Sequence, residues 1–316
     1  MVTSDNFTFK ILNKDSIDDL IYLFELDGKK VTKKYLVNKY LYSSRNEKLN
    51  YLGCLLYDEN GQPSAFIGGF YMILKNQTKE LKAIQIGDVI TNPIHRRKGL
   101  FIKVASCFFN FLSESKEFDL VFGFPNDNLA TAYFEKLNWK KNVKLQTFSC
   151  KLPFINFYGL FHKISILTPI YNYYVNLILK IFKVDKFIYS NNYLIGSEFF
   201  VYKNEEFFKW KKSFSSGRLI KILGNVYFIK FIDGIQIDFI KIQNLKRIRL
   251  DIYIIGLLTG VKKLTTMQTL NSSLIKELKV IGFNKIDHDL FTGYLFLHDN
   301  YRYENFIFSI SDADEF

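Results

Sequence analysis

A strand, a basic turn and a helix follow one another directly in residues 81–112, and this succession limits the folds open to the chain. The stretch LKAIQIGDVIT (81–91) has the apolar content of a buried strand, and IKVASCFFNFL (102–112) repeats apolar residues at the helical period. Between them lies a turn containing RRKG (96–99). A helix N-terminus presents unpaired amide groups and the positive end of a dipole, and glycine lets an anion approach the backbone. The sequence therefore predicts a site for a pyrophosphate-type anion at this turn.

Two widespread phosphate-binding motifs are absent from this stretch. It contains neither the G-x-G-x-x-G of dinucleotide-binding folds nor the G-x-x-x-x-G-K-[ST] of P-loop proteins. What remains is the form R-x-x-G directly after a strand, with Arg96 and Gly99 at the marked positions. The anion site is therefore expected in a fold other than the dinucleotide-binding and P-loop folds.

The rest of the chain predicts a mixed α/β fold. In residues 1–152 short strands alternate with amphipathic helices, and the Asn-Gly of ENGQ (59–62) indicates a β-hairpin. Residues 191–316 alternate similarly, and NSSLIKELKVIGF (271–283) is similar to NLATAYFEKLNW (128–139). We therefore predict two related α/β halves, each with a largely antiparallel sheet and helices on both faces. The second half lacks the basic turn, so the anion site is expected only once.

Residues 153–190 differ from both halves because they are mainly apolar and aromatic. Their apolar residues recur at helical spacing, which predicts a connector helix. One interpretation is a helix packed between the two domains. The other is a helix that lies on a membrane surface and carries Lys180, Lys183 and Lys186 on its polar side.

The charge and the cysteine content restrict the partners. Net charge is +12, from 43 basic and 31 acidic residues, which favours nucleic acid, acidic membrane or phosphorylated small molecules as partners. The three cysteines form no C-x-x-C pair and the four histidines have no metal-ligand spacing, so we expect reduced thiols and no metal. The N-terminus has no signal-peptide apolar region, and no uncharged apolar stretch of about 18 residues occurs, so a cytoplasmic location is expected.

The segment VITNPIHRRKGLF (89–101) resembles motif A of the GNAT acyltransferase superfamily, whose pattern is (Q/R)-x-x-G-x-(G/A). The resemblance implies a GNAT fold with acyl-CoA as co-substrate, and a backbone N–H of the strand that polarises the thioester carbonyl. It implies that the pantetheine arm is lined by Val89, Ile90 and Thr91, and that the pyrophosphate is surrounded by Arg96, Arg97, Lys98, Gly99, Leu100 and Phe101. Phe101 departs from the pattern, which predicts a wider or tilted start of the helix.

A second segment, FGFPNDNLATAYFEKLNW (122–139), resembles the strand, Asn-containing turn and helix that end the GNAT core. This resemblance implies that Asn126 or Asn128 reaches the pantetheine amides. The tyrosine that often acts as general acid in the family corresponds to Phe134 here, so a simple tyrosine-acid mechanism does not apply. The neighbouring Tyr133 is the remaining candidate for a catalytic hydroxyl, although a helix directs it elsewhere.

Asp88 is a carboxylate within an apolar strand. Such a group must be hydrogen-bonded or shifted in pKa. In the GNAT layout this strand borders the acceptor cleft, so Asp88 is a candidate base that takes a proton from an ammonium or holds a substrate hydroxyl. Its alternative role is to cap the adjacent loop.

A narrower resemblance, carried by FFKWKKSF (207–214), YENFIFSISDADEF (303–316) and the double α/β layout, is to GNAT proteins of polysaccharide-assembly loci. It implies N-acylation of a dTDP- or UDP-linked amino-dideoxy sugar for a surface polysaccharide such as O-antigen lipopolysaccharide. One alternative is an acyltransferase acting on a protein, peptide or aminoacyl-tRNA. Another is a non-enzymatic module that binds nucleic acid or a membrane surface, which explains the charge but not the RRKG turn.

Overall fold

The structure, a computed structural model, describes residues 7–41, 52–184, 197–269, 274–298 and 304–313. It divides into two compact units. Unit 1 consists of Met1–Asn142 and Phe291–Glu304, and unit 2 consists of Val143–Leu290 and Asn305–Phe316.

Strands and helices alternate through both units. The strands are β1 (Thr8–Ile11), β2 (Gly53–Tyr57), β3 (Pro63–Lys75), β4 (Glu80–Thr91), β5 (Leu120–Gly123), β6 (Lys140–Lys141), β7 (Leu145–Lys151), β8 (Phe199–Val201), β9 (Arg218–Ile222), β10 (Asn225–Phe231), β11 (Ile235–Lys241), β12 (Lys263–Thr269), β13 (Asn284–Lys285), β14 (Gly293–Phe296) and β15 (Phe306–Ile307). The helices are α1 (Ile17–Leu26), α2 (Lys33–Leu41), α3 (Leu100–Ser115), α4 (Asp127–Thr131), α5 (Phe157–Lys163), α6 (Thr168–Ile181), α7 (Glu205–Phe214), α8 (Ile248–Thr259) and α9 (Leu274–Ile281). This alternation confirms the predicted α/β class.

Unit 1 is built on a mixed sheet with the order β1-β2-β3-β4-β5-β14-β6. Its strands are antiparallel except for the parallel pair β4–β5, which flanks the crossover through α3. The apolar stripe of α3 packs on one face of the sheet with Ile84 and Ile86. On the other face, the ring of Tyr40 in α2 stacks on Phe70 at 5.5 Å between centroids. Both faces are therefore covered, as predicted.

Unit 2 repeats this plan in a sheet with the order β13-β7-β12-β11-β10-β9. Here too the strands are antiparallel apart from one pair, β11–β12, which flanks the crossover through α8. The turn that leads into α8, QNLKRIRL (243–250), contains no glycine, in contrast to the turn before α3. The two units therefore share an architecture, while the basic glycine turn belongs to unit 1.

The unit boundaries differ from the domain limits predicted from the sequence. Strand β7, assigned to the first domain by the 1–152 limit, pairs with β12 of unit 2 over its whole length. Strand β14, near the other end of the chain, pairs with β5 of unit 1. Each half of the sequence thus gives one strand to the other unit. Local sequence patterns do not reveal such an exchange because either strand has the same alternation in either sheet.

The connector region 153–190 belongs to unit 2 as far as it is described. Three residues of α6, Tyr171, Val175 and Leu179, are buried in the core of this unit. Lys186 lies outside the described residues. Within the described ranges, no helix has the length and the apolar content needed to cross a bilayer.

A buried polar cluster holds the C-terminal segment in unit 2. Lys203 forms ion pairs of 2.9 Å with both Asp238 and Asp312. Burial disfavours the charged lysine, but the two carboxylates outweigh burial and raise its pKa. Lys211, also buried, donates a hydrogen bond of 2.8 Å to the carbonyl oxygen of Ala313. Segment 207–214 therefore meets the described part of the C-terminal segment, 304–313, and these contacts give both a structural role.

Candidate functional site

A β-bulge interrupts β4 at residues 87–88, near the end of the strand that leads to the basic turn. Ile67 of β3 pairs with Val89, but Gly69 pairs with Ile86, so Gly68 faces two residues of β4 instead of one. The extra residue reverses which side chains face each side of the sheet beyond this point. Asp88 and Ile90 become buried, whereas Val89 and Thr91 are half-buried. The bulge thereby turns Asp88 away from α3 and towards α2.

The pairing of β4 with β5 ends where the bulge begins. Their parallel ladder runs from Ala83–Leu120 to Ile86–Gly123 and ends there. Strand β4 continues to Thr91, whereas β5 ends at Gly123. On the edge of β4 that faces β5, the backbone N–H and C=O groups of residues 87–91 therefore lie beyond the end of that ladder. An extended ligand that carries amide groups can pair with such a strand edge.

The turn after β4 leaves the start of α3 open. Arg97 and Gly99 both have left-handed backbone conformations, with φ of 64° and 74°. Gly99 is the N-cap residue of α3 and supplies no side-chain cap. A Cβ atom built on Gly99 meets no atom within 4 Å. Space is therefore open beside Gly99, next to the first amide groups of α3, which lack intrahelical acceptors and can bind an anion.

The basic side chains of the turn differ in their surroundings. Arg96 donates to the Asp27 carboxylate at 2.8 Å, at the end of α1. Lys98 lies 3.4 Å from Nδ1 of His95, whose Nε2 lies 3.3 Å from the Asp58 carboxylate. The side chains of Arg96, Arg97 and Lys98 are exposed. The predicted positive charges are thus brought together beside the helix start, with Arg96 partly neutralised.

Leu100 and Phe101 offer the turn only their backbone groups. The Leu100 side chain is buried in the core of unit 1. The Phe101 ring contacts Tyr133 edge to face, with 5.1 Å between centroids. The large side chain that departs from motif A therefore points into packing, and α3 begins at Leu100 beside it. The sequence pattern did not reveal this direction.

Asp88 lies in a buried hydrogen-bonded cluster with two residues of α2. Its carboxylate accepts from Lys39 Nζ at 2.7 Å and from the Tyr40 hydroxyl at 2.5 Å. The side chains of Lys39 and Asp88 are 1% and 4% exposed. Burial acts to raise the pKa of Asp88, but the Lys39 charge and both hydrogen bonds outweigh it and hold this pKa below its usual value. A carboxylate held in this way is a weak base.

The loop-capping role considered for Asp88 belongs to Asn92. The Asn92 side chain accepts from the amide of Ile94 at 3.2 Å and starts the turn Pro93–His95.

Gly68 explains why the cluster fits against the bulge. A Cβ atom on Gly68 would lie 2.5 Å from Cε1 and 2.7 Å from the hydroxyl oxygen of Tyr40. Glycine at this position therefore leaves room for the tyrosine that hydrogen-bonds to Asp88.

Tyr133 is a packing residue. It is 4% exposed, and its ring lies 4.4 Å from the Trp139 ring and 5.1 Å from the Phe101 ring, measured between centroids. Burial raises the pKa of its hydroxyl. These surroundings do not support the candidate role of Tyr133 as a catalytic acid. Phe134 next to it faces Phe291, at 6.1 Å between ring centroids, and has no proton to give.

The two asparagines after β5 have separate environments. Asn126 is the N-cap of α4, and its side chain accepts from the Leu129 amide at 3.1 Å. This leaves its amide NH₂ group as the donor for a ligand. Asn128 is exposed in the first turn of α4. Both lie just beyond the end of β5, at the start of α4.

The sequence does not predict that Lys39 and Tyr40 bind the Asp88 carboxylate. They precede Asp88 by 49 and 48 residues, so no local spacing connects them. The only available signal was the need of a buried carboxylate for a partner.

Among the residues that the structure describes, no group of three or more His, Cys, Asp and Glu side chains is arranged to hold a metal ion.

No protein-family model matches the sequence, and no curated protein matches it. Solved structures do share its fold. A protein from Enterococcus faecalis V583, described as a probable N-acyltransferase, has a TM-score of 0.59 at 9% identity, covering 92% of this chain and 72% of its own. A GCN5-related N-acetyltransferase from Anabaena variabilis has a TM-score of 0.57 at 10% identity, covering 92% and 73%.

A third similar structure is Saccharomyces cerevisiae N-myristoyltransferase with bound myristoyl-CoA. Its TM-score is 0.55 at 10% identity, with 96% of this chain and 85% of that chain covered. At such low identity, these likenesses establish the fold alone. The chain therefore has the fold of the GCN5-related N-acetyltransferases, the GNAT superfamily whose motif A its turn resembles.

Gly99→Val tests the open helix start. The added side chain points into the space left for the anion, and we expect CoA to bind about 10–100-fold more weakly, because charge-assisted hydrogen bonds of about 1.5–3 kcal/mol are lost. Gly61→Val is the matched control, since Gly61 also has φ of 74° and no atom within 4 Å of a built Cβ. Calorimetric titration with CoA should separate the two variants. Equal CoA affinities in both would contradict the site.

Proposed function

We propose that this chain is an acyl-CoA-dependent N-acyltransferase whose CoA site is formed by β4, the basic turn and the start of α3. The proposal rests on one succession of features: a bulge, a strand that runs on beyond the end of its parallel neighbour, and a helix start without a side-chain cap. A strand edge suits the amides of pantetheine, and the helix start suits a pyrophosphate. The GNAT fold of similar structures supports this assignment.

The proposed roles follow the order of residues along the chain. Val89, Ile90 and Thr91 lie along the pantetheine through their backbone. The pyrophosphate is bound by backbone amides from Gly99 to Phe101 and by the charges of Arg96, Arg97 and Lys98. The amide group of Asn126 or the side chain of Asn128 donates to the pantetheine from the start of α4, which follows β5.

The proposed reaction is attack of a neutral amine on the thioester carbonyl. The C–N bond forms, the C–S bond breaks, and CoA leaves as a thiolate. A backbone N–H at the bulge stabilises the oxyanion. Because Phe134 has no hydroxyl and Tyr133 is buried in packing, the thiolate takes its proton from water or from the nitrogen of the attacking amine, which becomes cationic as the C–N bond forms. A CoA thiol is a good leaving group near neutral pH, so this suffices.

For the acceptor, we propose the amine of a dTDP- or UDP-linked amino-dideoxy sugar used in a surface polysaccharide such as O-antigen, with the reaction in the cytoplasm. The support is the resemblance of the whole layout to polysaccharide-locus GNAT proteins and the net charge of +12, which suits two pyrophosphate-bearing substrates. A second candidate is a protein or peptide amine. Its support is the similarity of fold to N-myristoyltransferase.

Incubation with a panel of acyl-CoAs and acceptors tests the activity. We expect mass spectrometry to find an N-acylated nucleotide sugar and an equal amount of free CoA thiol. An acylated peptide from the same panel, with unmodified sugars, would favour the second candidate. Failure to bind any CoA thioester in calorimetry would overturn both.

A further inference from the structure

An exposed apolar surface lies on helices α5 and α6 and the short segment between them. Its most prominent side chains are Leu160, Ile166, Ile170, Tyr173, Leu177 and Ile181, and we call this surface the α5–α6 face. Ile166, Tyr173 and Ile181 are 78%, 73% and 71% exposed. Soluble proteins rarely leave a large contiguous apolar patch in water unless it binds something.

Helix α6 is apolar on two sides. One side is buried and contributes to the core of unit 2. Ile170, Tyr173, Leu177 and Ile181 recur three or four residues apart, so they form a second stripe that is exposed. A surface helix normally carries polar residues opposite its buried stripe. The second stripe adds nothing to the core, which indicates that it serves a partner.

The charges within this region have one sign. Residues 152–184 contain no Asp or Glu, and their charged residues are Lys163, Lys180 and Lys183. Apolar residues flanked by lysines are typical of segments that lie on anionic bilayers. A second copy of this chain is a poorer fit, because a twofold contact would bring the lysines of both copies to one apolar interface.

An apolar cleft opens beside the same stripe. It has a volume of about 420 Å³, and Phe157, Phe161, Ile170, Tyr174 and Leu257 are among its lining residues. This size is within the range of small-ligand sites. A lining of this kind suits a hydrocarbon chain and offers little to a charged group.

We propose that the α5–α6 face binds the surface of an anionic lipid bilayer. The exposed stripe enters the boundary between headgroups and acyl chains, the lysines contact the headgroups, and the cleft takes part of one acyl chain. The protein is then held at the bilayer as a peripheral protein. This proposal does not depend on the acyltransferase assignment.

Vesicle co-sedimentation of the full chain tests the proposal. We expect more protein on vesicles of equal parts phosphatidylcholine and phosphatidylglycerol than on phosphatidylcholine alone, with the difference falling as salt rises. Tyr173→Ser/Leu177→Ser/Ile181→Ser should lower the partition coefficient at least about tenfold, since the buried apolar area is lost. Lys163→Gln/Lys180→Gln should lower it on anionic vesicles by about tenfold and little on neutral ones.

Helix α9 provides matched controls. Val280→Ser removes a side chain that is 78% exposed, and Lys276→Gln/Lys279→Gln removes the same charge as the lysine variant. Neither should change vesicle binding, and circular dichroism should report an intact fold for all variants. Absence of binding to anionic vesicles overturns the proposal. So does a dimer in analytical ultracentrifugation that the triple serine variant makes monomeric, because the face then binds a second copy.

Discussion

Arg96→Glu/Arg97→Glu is expected to weaken CoA binding by roughly 3–6 kcal/mol, about 10²–10⁴-fold in Kd. Each arginine is assigned to the pyrophosphate, and a charge-assisted hydrogen bond to phosphate contributes about 1.5–3 kcal/mol. Both side chains are exposed, so the variant should fold like the original chain. Isothermal titration calorimetry with CoA measures the effect directly.

The single variants refine this expectation. Arg97→Glu should have the cleaner effect, because Arg96→Glu also places a second carboxylate near Asp27, the present partner of Arg96 at 2.8 Å. Lys276→Glu/Lys279→Glu, on α9 of unit 2, changes the net charge by the same amount as the double arginine variant and should leave CoA affinity within about twofold of the original. If the arginine and lysine pairs weaken CoA equally, long-range charge explains the binding and the turn is not its site.

The turn was predictable because its chemistry is local. A strand, a basic segment, one glycine and a helical repeat are contiguous, so the sequence predicts an anion site at Gly99 and the structure leaves the backbone open there. The α/β class was predictable for a similar reason, since the periods of strands and helices are read in short windows. These features depend on neighbours in sequence.

The missed features depend on residues far apart in sequence. The ion pair of Asp88 joins it to Lys39. Strand β7 pairs with β12, whose residues come more than 110 positions later, and β14 pairs with β5, whose residues come about 170 positions earlier. The local pattern of either strand fits either sheet equally well. The bulge also depends on pairing, because its extra residue appears only when β4 is aligned with β3. A carboxylate in an apolar strand indicates that a partner exists, but the sequence does not identify that partner.

Asp88→Asn is expected to destabilise the fold by about 3–5 kcal/mol, because it breaks an ion pair whose side chains are 1% and 4% exposed. Lys39→Met should cost a similar amount. The double variant removes both charges, and replacing a buried pair by uncharged residues is often close to neutral. Its free energy of unfolding in urea should therefore recover most of the loss. The control is the exposed ion pair Lys263–Asp233, whose side chains are 43% and 86% exposed. A double-mutant cycle on this pair should give a coupling energy of less than about 1 kcal/mol.

The contribution of Asp88 to the stability of the fold depends on pH with a defined sign. The folded-state pKa of Asp88 is lowered, so its contribution to stability is present above the unfolded pKa of about 3.9 and is lost as pH falls through the folded value. The double variant, which lacks the carboxylate, should lose less stability than the original chain below about pH 4. Equal acid sensitivity of the two proteins would mean that Asp88 does not carry this linkage.

The same double variant separates an ion pair from a general base. If Asp88 acts by holding α2 against the bulge through Lys39 and Tyr40, then Asp88→Asn/Lys39→Met should regain kcat to within about tenfold, together with its stability. If Asp88 takes the proton from the amine, kcat should stay about 10²–10⁴-fold low in a stable protein, and the rate should rise more steeply with pH as free amine becomes limiting. The low pKa and the two hydrogen bonds of Asp88 favour the first result. A stable double variant with normal CoA affinity and the larger loss of kcat would establish the base.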